Sequence, residues 1–147
     1  DHFKDFYEQQ IKNLGYQICY HQRPHNLGDG TCICFKPELF KLMSTKTLDY
    51  NKGHKYENDP IFKQNNVGIY CQLNHIKTGK NLNVIGTHLY HHPKNEEVKY
   101  LQIGEILDFI QDNLDPRDYI IFGGDLNSTP YANLVNYVLS KSEPEIQ

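Results

Sequence analysis

The chain has 147 residues and a formal net charge of −3, so it is long enough to bury a core as one domain or as part of one. The mild acidity argues against a general nucleic-acid binder, which would usually be basic, but allows an enzyme that neutralises phosphate with metal ions. No apolar run of about 18 residues is present, so the sequence predicts no membrane-spanning helix.

The first half of the chain predicts one helix followed by two strands. Apolar residues recur at helical spacing from about Phe3 to Leu14, and Gly15 follows where a C-terminal capping glycine belongs. Strands are predicted in YQICY and TCICF, with the loop HQRPHNLGDG between them. The polar segment from about Lys41 to Asn66 looks irregular, and no element is predicted there.

The chain has four cysteines, none in a C-x-x-C pair: Cys19, Cys32, Cys34 and Cys71. All four lie in apolar, strand-like contexts. Cys32 and Cys34 would share one face of a strand, but a zinc site or a disulfide built on them is the weaker interpretation. We expect buried, reduced thiols and an intracellular protein.

The second half predicts a hairpin, a helix, a strand and a final helix. Two apolar runs flank KTGK, whose glycine suits a hairpin turn. A helix is predicted from Asn95 to Asn113, with Asn95 as its N-cap. Its apolar stripe is Val98, Leu101, Ile106 and Ile110. YIIF is predicted as a buried strand, and Thr129 and Pro130 as the cap and first-turn proline of the last helix.

These elements together predict an α/β fold. Because a hairpin pairs antiparallel strands, the sheets must be mixed or antiparallel, with helices packed outside them. We expect an αββα sandwich in which residues 1–147 form a single, incomplete domain.

Two predicted strands end in residues that suit phosphate chemistry. In GTHLYHHP the apolar run ends at His88, and in IIFGGDLNSTP it ends in two glycines followed by Asp125 and Asn127. Ligands commonly bind just beyond the carboxyl ends of such strands. A carboxylate can ligate a hard cation or deprotonate water, an amide can hold a nucleophile without adding charge, and a histidine can donate to phosphoryl oxygens.

Each of these residues also has a plainer interpretation. Asp125 and Asn127 are common turn formers that bond to their own backbone, and a single histidine after a strand is often structural. His88 and His92 would share a strand face as a zinc pair, but no third ligand is evident. Pro93 alone indicates only the start of a helix.

Four motifs taken together resemble the endonuclease–exonuclease–phosphatase superfamily. They are GDLNSTP, GTHLYHHP, GDGTCICFKPELF and the opening DHFKDFYEQQIKNLGY, in the family's order over nearly the whole chain. The resemblance is to the branch that contains the poly(A) deadenylases, nocturnin, the Angel proteins and the 2′-phosphodiesterase. In that branch Asp1 would be the aspartate of a Q-E-V-D motif.

The resemblance implies roles for six residues. Asp125 would activate the attacking water, Asn127 would help to hold metal and nucleophile, and His88 would contact the scissile phosphate. Asp125 and Asn127 would be the ligands of Mg²⁺ or Mn²⁺. Three further residues are implied at the substrate: Pro93 as a base contact, Asn66 near the bound substrate, and Asp29 in a structural or substrate-lining turn.

Parts of the family's site have no counterpart in this sequence. The metal-binding glutamate would precede Asp1, and the terminal S-D-H motif is missing. The resemblance therefore implies that this chain is part of a Mg²⁺-dependent phosphodiesterase or 3′–5′ exoribonuclease. Its substrate would be an RNA or oligoadenylate end, and no membrane is involved. The branch has cytosolic, nuclear and mitochondrial members, and we expect a cytoplasmic protein.

Other functions are compatible with the same motifs. A catalytically incomplete fragment or pseudoenzyme could serve as a binding module, since the glutamate and the terminal histidine are missing. An RNA 2′,3′-cyclic phosphatase of the Angel type would use the same residues. A phosphatase of lipids or small molecules would be expected to carry a short basic segment at the phosphate site, and none is evident.

Overall fold

The computed structural model describes residues 3–25, 28–51, 56 and 58–142. In chain order these residues form a π-helical turn Phe3–Tyr7, α1 (Glu8–Asn13), β1 (Gln17–Gln22), β2 (Gly30–Phe35), β3 (Phe40–Asp49), β4 (Val67–His75), β5 (Asn81–His88), α2 (Glu96–Asn113), β6 (Tyr119–Asp125) and α3 (Asn133–Ser142). Asp1, which the resemblance equates with a motif aspartate, lies outside the described residues. None of the helices among these residues has the length and hydrophobicity of a membrane span.

The strands form two sheets that pack face to face. β1 and β2 make a two-stranded antiparallel sheet, and the larger sheet has the strand order β3-β4-β5-β6. β4 is antiparallel to both β3 and β5, whereas β5 and β6 run parallel. One mixed sheet and one antiparallel sheet confirm the predicted fold class.

Two hydrophobic cores hold the layers together. One core lies between the sheets and takes Ile69 and Cys71 from β4, together with Phe35 from β2. The other lies between the large sheet and the helices α2 and α3, and takes Tyr70 from β4 and Ile106 from α2. Successive residues of β4 serve different cores because side chains on a strand alternate between its two faces.

The first helix ends at the predicted glycine and buries few of its apolar residues. Gly15 has a φ of 79°, and its amide donates to the carbonyl of Lys12 at 2.9 Å. Glycine adopts this left-handed conformation at little cost, which suits a helix end. Phe3 is buried and stacks on Tyr20, with ring centroids 3.8 Å apart. Phe6, Tyr7 and Leu14 are exposed, so helical spacing of apolar residues does not make a buried face here.

The segment for which no element is predicted holds most of a ten-residue strand, β3, which begins at Phe40. A bulge between Leu42 and Ser44 reverses the faces that the following side chains occupy. Leu42 therefore packs against the core between the sheets, whereas Leu48 packs in the core under α2. The apolar residues of β3 consequently lose the simple alternation by which a strand is recognised.

The strand predicted as buried, YIIF, is a strand but is exposed. Tyr119 and Ile121 of β6 are 57% and 53% accessible. β6 is the last strand of the large sheet, and the two-stranded sheet packs on β4 and β5 instead. The prediction of burial is wrong because an apolar run does not reveal which strand lies at an edge.

The long helix α2 is confirmed, although its cap and its buried face differ from the prediction. Asn95 occupies the N-cap position, but its side chain makes no capping hydrogen bond. Leu101 is only half-buried. The buried apolar residues of α2 are Val98, Ile103, Ile106 and Phe109. α3 begins at Asn133, later than the predicted start at Thr129, because the intervening residues form a turn.

The predicted burial of the cysteines is half right. All four thiols are free; Cys19 and Cys71 are buried, whereas Cys32 and Cys34 are exposed. Burial raises the pKa of the Cys71 thiol to about 12, so this thiol stays protonated at neutral pH.

Tyr50 links the end of β3 to β5 inside the core. The residue is buried, and its hydroxyl lies 2.7 Å from Oγ1 of Thr87. Burial raises the pKa of Tyr50 above its ordinary value, and the contact with Thr87 opposes this effect only in part. Because this pKa is higher in the folded than in the unfolded chain, its contribution to the free energy of unfolding is fully present below the ordinary pKa. That contribution is lost as the pH rises through the folded pKa.

We expect Tyr50→Phe to lower the free energy of unfolding by about 1–2 kcal/mol near pH 8, because Thr87 loses a buried partner. Above about pH 10, the unfolded Tyr50 ionises but the folded one does not. The unaltered chain should therefore lose stability more steeply with rising pH than the phenylalanine variant. Urea unfolding of both chains near pH 8 and pH 10.5 measures this difference, and parallel losses would contradict it.

Candidate active site

The carboxyl ends of β5 and β6 lie side by side. They carry His88 and Asp125, the residues that the sequence predicts to suit phosphate chemistry. The strands pair in register, with His88 opposite Asp125. The amide of Leu89 donates to the carbonyl of Asp125 at 2.9 Å, which extends the pairing beyond β5. Parallel neighbours end at the same edge of a sheet, so their last side chains are brought together.

Gly124 makes this close approach possible. Its φ is 138°, and a Cβ atom there would overlap the carbonyl oxygen of Thr87 on β5. A residue with a side chain would therefore be strained and would push the two strand ends apart. Gly123, in contrast, has open space where a Cβ would lie. Of the two glycines in the motif, only Gly124 is required by the contact between the strands.

The imidazole of His88 lies between two carboxylates, in what we call the Asp29–His88–Asp125 row. Nδ1 is 3.6 Å from Oδ2 of Asp29, and Nε2 is 3.9 Å from Oδ2 of Asp125. Both distances exceed that of a hydrogen bond, so the ring nitrogens can still bond to a ligand oxygen. The His88 side chain is 37% exposed, and the row is open to solvent.

Arg23 holds Asp29 in this row. Nη1 of Arg23 donates to both carboxylate oxygens of Asp29, at 3.2 and 3.1 Å. Its other guanidinium nitrogens donate to the backbone carbonyls of Gln64 at 2.7 Å and Asn65 at 3.0 Å. One guanidinium thus joins the loop before β2 to the loop before β4, with the geometric precision of several charged hydrogen bonds. Sequence reasoning misses Arg23 because most of its partners are distant in the chain.

Asp125 forms a turn and also keeps one oxygen at the row. Its Oδ1 accepts a hydrogen bond from the amide of Asn127 at 2.8 Å, as expected of a turn former, while Oδ2 faces His88. Asn127 has a φ of 48°, and its Nδ2 donates to the carbonyl of Leu89 at 2.8 Å. The Asp125 side chain is 65% exposed, so the structural and the chemical interpretations of this motif are compatible.

Lys99 is a buried charge beneath the same loop. Its side chain is 3% exposed, and Nζ donates to the carbonyl of Asn127 at 3.0 Å and to Oγ of Ser128 at 3.4 Å. Nζ also lies 3.5 Å from Oε1 of Glu96. Lysines are mostly exposed, so a helical lysine is normally assigned to the solvent face and this one is missed from sequence. Here it ties α2 to the loop that carries Asp125.

We expect Lys99→Met to lower the free energy of unfolding by about 1–3 kcal/mol, because the Asn127 carbonyl and the Ser128 hydroxyl lose a buried donor. Lys94→Met is the matched control, since Lys94 is exposed and the same substitution there should change stability by less than about 0.5 kcal/mol. Urea unfolding measures both values. Equal effects would show that the buried contacts of Lys99 contribute nothing.

Asn66 lies beneath the row and not on its surface. It is buried; its Nδ2 donates to the carbonyl of His88 at 2.9 Å, and its Oδ1 accepts from Nε2 of Gln102 at 3.3 Å. Gln102 is also buried and accepts from the amide of Tyr90 at 2.9 Å. These bonds hold the backbone on both sides of Leu89. In this structure Asn66 positions the backbone beneath the row, and its place near a bound substrate stays a prediction.

Pro93 and the histidines near it lie outside the row. Pro93 is exposed in the turn before α2, and its contact with a base stays a prediction. The ring of His92 stacks with that of Tyr90 at a centroid distance of 6.4 Å. In the part of the chain that the structure describes, no three His, Cys, Asp or Glu residues are grouped to hold a metal ion, so the zinc interpretation gains no support.

The oxygen atoms near the row fit only part of a Mg²⁺ ligand shell. The carboxylate of Asp125 and the amide oxygen of Asn127 are hard donors of the type that Mg²⁺ prefers. No larger group of acidic or histidine ligands joins them among the described residues. A metal ion at this place would need further ligands in addition to these two.

Known proteins resemble this chain over most of its length. No protein-family model matches the chain. Protein angel homolog 2 of Bos taurus is 28% identical over 146 residues, which cover 94% of this chain and 26% of that protein. The CCR4-Not complex 3′-5′-exoribonuclease subunit Ccr4 of Saccharomyces cerevisiae is 29% identical over 119 residues, which cover 75% of this chain and 14% of that protein. The chain spans about a quarter or less of the length of these relatives.

Solved structures share the fold. ANGEL2, a 2′,3′-cyclic phosphatase in complex with adenosine-2′,3′-vanadate, matches with a TM-score of 0.82 and 25% identity over 94% of this chain and 40% of that one. The human nocturnin catalytic domain with bound sulfate matches with a TM-score of 0.80 and 24% identity, over 96% of this chain and 53% of that one. An endonuclease/exonuclease/phosphatase family protein from Bacteroides thetaiotaomicron matches at 0.71 with 13% identity, over 91% and 51%.

Similarity in sequence and similarity in fold thus point to the same group of proteins. The sequence match to angel homolog 2 and the structural match to ANGEL2 each cover 94% of this chain. The chain has relatives among the Angel and Ccr4 proteins and the fold of the endonuclease/exonuclease/phosphatase proteins, nocturnin included, which confirms the resemblance found in its motifs.

Proposed function

We propose that the protein containing this chain is a metal-dependent phosphodiesterase that hydrolyses RNA from its 3′ end. The observation that carries the proposal is the shared end of β5 and β6, which places His88 beside Asp125 on an open surface. Phosphoryl transfer uses these residue types, a carboxylate to take a proton from water and a donor for the phosphoryl oxygens. The relatives support the proposal, since Ccr4 is a 3′-5′-exoribonuclease and ANGEL2 a 2′,3′-cyclic phosphatase.

In the proposed reaction, Asp125 takes a proton from a water molecule whose oxygen attacks the phosphorus. A new bond from that oxygen to phosphorus forms as the bond to the leaving oxygen breaks, and the leaving oxygen takes a proton from solvent. His88 donates a hydrogen bond to a non-bridging phosphoryl oxygen. Asp29, held by Arg23, would orient the imidazole once its 3.6 Å separation from Nδ1 closes to a hydrogen bond, and Asn127 presents its amide oxygen to the water.

Mg²⁺ or Mn²⁺ is part of this proposal. Bound beside the phosphate, either ion would neutralise the negative charge of the substrate. The chain has a net charge of −3, so it does not offset that charge with a broad basic surface. Asp125 and Asn127 are the residues proposed to hold it. The remaining ligands would be water, substrate oxygens or groups beyond the described residues.

The test is hydrolysis of three oligoadenylates, one 3′,5′-linked, one 2′,5′-linked and one that ends in a 2′,3′-cyclic phosphate. The protein at its full length and the 147-residue chain are each incubated with Mg²⁺ and with EDTA, beside Asp125→Ala. We expect Mg²⁺-dependent release of nucleotides from the 3′,5′-linked substrate, and its loss in the variant. No hydrolysis of any substrate by the full-length protein would contradict the proposal and would favour a binding module.

A second candidate function is removal of a terminal cyclic phosphate from RNA. It is favoured by the match to ANGEL2, which has a TM-score of 0.82 and holds adenosine-2′,3′-vanadate. The same residues would act, because opening the cyclic ester is also attack of water on phosphorus. If the terminal cyclic phosphate is opened in the oligoadenylate assay while the 3′,5′ linkages stay intact, this second function would replace the first.

A further inference from the structure

We propose that Cys32 and Cys34 form a two-thiol binding site for a soft, thiophilic cation of low coordination number, with Cu(I) as its probe. Both thiols are exposed, and their sulfur atoms lie 4.0 Å apart. The proposed hydrolysis makes no use of this pair, so the inference stands independently of it.

The geometry of the pair follows from the strand that carries it. Residues two apart on a strand project from the same face, and pairing with β1 sets Cys32 opposite Tyr20 and Cys34 opposite Ile18. Ile33, between the two cysteines, points the other way into the core between the sheets. The backbone therefore holds both thiols on one face before any ion arrives.

The separation of the sulfur atoms suits one ion held by both. At a metal–sulfur distance of about 2.3 Å, two thiolates lie about 3.8 Å apart for a tetrahedral angle and about 4.6 Å apart for a linear one. The observed 4.0 Å lies between these values. Small rotations of the two side chains are thus sufficient for a shared ion.

A disulfide fits the same pair less well. Cα atoms two residues apart on a strand are about 6.6 Å apart, which is close to the upper limit of about 6.8 Å for disulfides. The sulfur atoms would also have to approach from 4.0 Å to about 2.05 Å. All of β2 pairs with β1, so the strand resists the bend that this approach requires. The pair is therefore better suited to bind an ion than to oxidise.

The ligand type selects the class of cation. Thiolates favour soft ions such as Cu(I) over Mg²⁺ or Mn²⁺. Structural zinc sites use four ligands, whereas no third His, Cys, Asp or Glu groups with these thiols within the described ranges. A cation that needs only two or three ligands therefore fits this pair better than Zn²⁺ does. Solvent would fill any remaining position. Each thiol releases its proton to water on binding, and no electron is transferred.

The test is an anaerobic titration of the 147-residue chain with Cu(I), in competition with a chromophoric Cu(I) chelator. We expect the unaltered chain to bind one equivalent. Cys32→Ser and Cys34→Ser should each lower the affinity at least about 100-fold, because a single sulfur ligand loses the gain from simultaneous binding. Circular dichroism establishes that each variant is folded.

The buried thiols supply matched controls. Cys19→Ser and Cys71→Ser remove thiols from the interior, and each folded variant should bind Cu(I) like the unaltered chain. Met43→Leu removes an exposed thioether and should also leave binding unchanged. Undiminished affinity in Cys34→Ser, or loss of binding in Met43→Leu, would overturn the proposal. Four-ligand Zn²⁺ binding in place of Cu(I) binding would overturn it as well.

Discussion

Replacement of Asp125 by asparagine is expected to lower turnover on RNA ends by about 10³-fold, the scale of a lost general base, while the fold persists. An amide cannot take a proton from water, but its oxygen can still accept the hydrogen bond that Asp125 receives from Asn127 at 2.8 Å. The side chain is 65% exposed, so the free energy of unfolding should change by less than about 0.5 kcal/mol. Initial rates with Mg²⁺ and urea unfolding measure the two quantities.

The matched control for this variant is Asp112→Asn. Asp112 is an exposed carboxylate in the last turn of α2, so the same chemical change there should alter neither rate nor stability. A loss of stability in Asp125→Asn that accounts for the loss of rate would assign Asp125 to the turn alone. Turnover within tenfold of the unaltered protein would exclude it from the reaction.

Gly124→Ala is expected to lower the free energy of unfolding by about 3 kcal/mol or more and to abolish hydrolysis. The backbone there has a φ of 138°, and the added Cβ would overlap the carbonyl oxygen of Thr87. Relief of that overlap requires β5 and β6 to separate where His88 faces Asp125. Thermal or urea unfolding and the oligoadenylate assay report the two losses.

Gly123→Ala distinguishes this contact from the general effect of removing a glycine. A Cβ at Gly123 meets no atom nearby, and both substitutions reduce the freedom of the unfolded chain alike. Gly123→Ala should therefore change stability by less than about 1 kcal/mol. Equal destabilisation by the two variants would show that the overlap with Thr87 is not the cause.

The hairpin and the long helix could be predicted because their signals lie within a few residues of one another. Gly79 in KTGK has a φ of 67°, as a tight turn requires, and the apolar runs on either side pair as β4 and β5. The polar start and the apolar spacing of α2 are likewise contained in one short segment.

β3 and the exposure of β6 could not be predicted, because both depend on the neighbours of a strand. The bulge after Leu42 sends the apolar residues of β3 to two different cores, and this hides the alternation. Ile121 belongs to an apolar run that is typical of a central strand, yet β6 is at an edge. An apolar run can occupy an edge or the centre of a sheet, and only the packing distinguishes the two.

The local sequence was sufficient to propose His88, Asp125 and Asn127 together, since each follows an apolar run within a few residues and the ends of neighbouring strands meet. Packing alone brought Asp29 to the other side of the imidazole and buried Lys99 under the Asn127 loop. These contacts join segments that are far apart in the chain. They depend on strand register and on the placement of helices, and neither is encoded in a short stretch of residues.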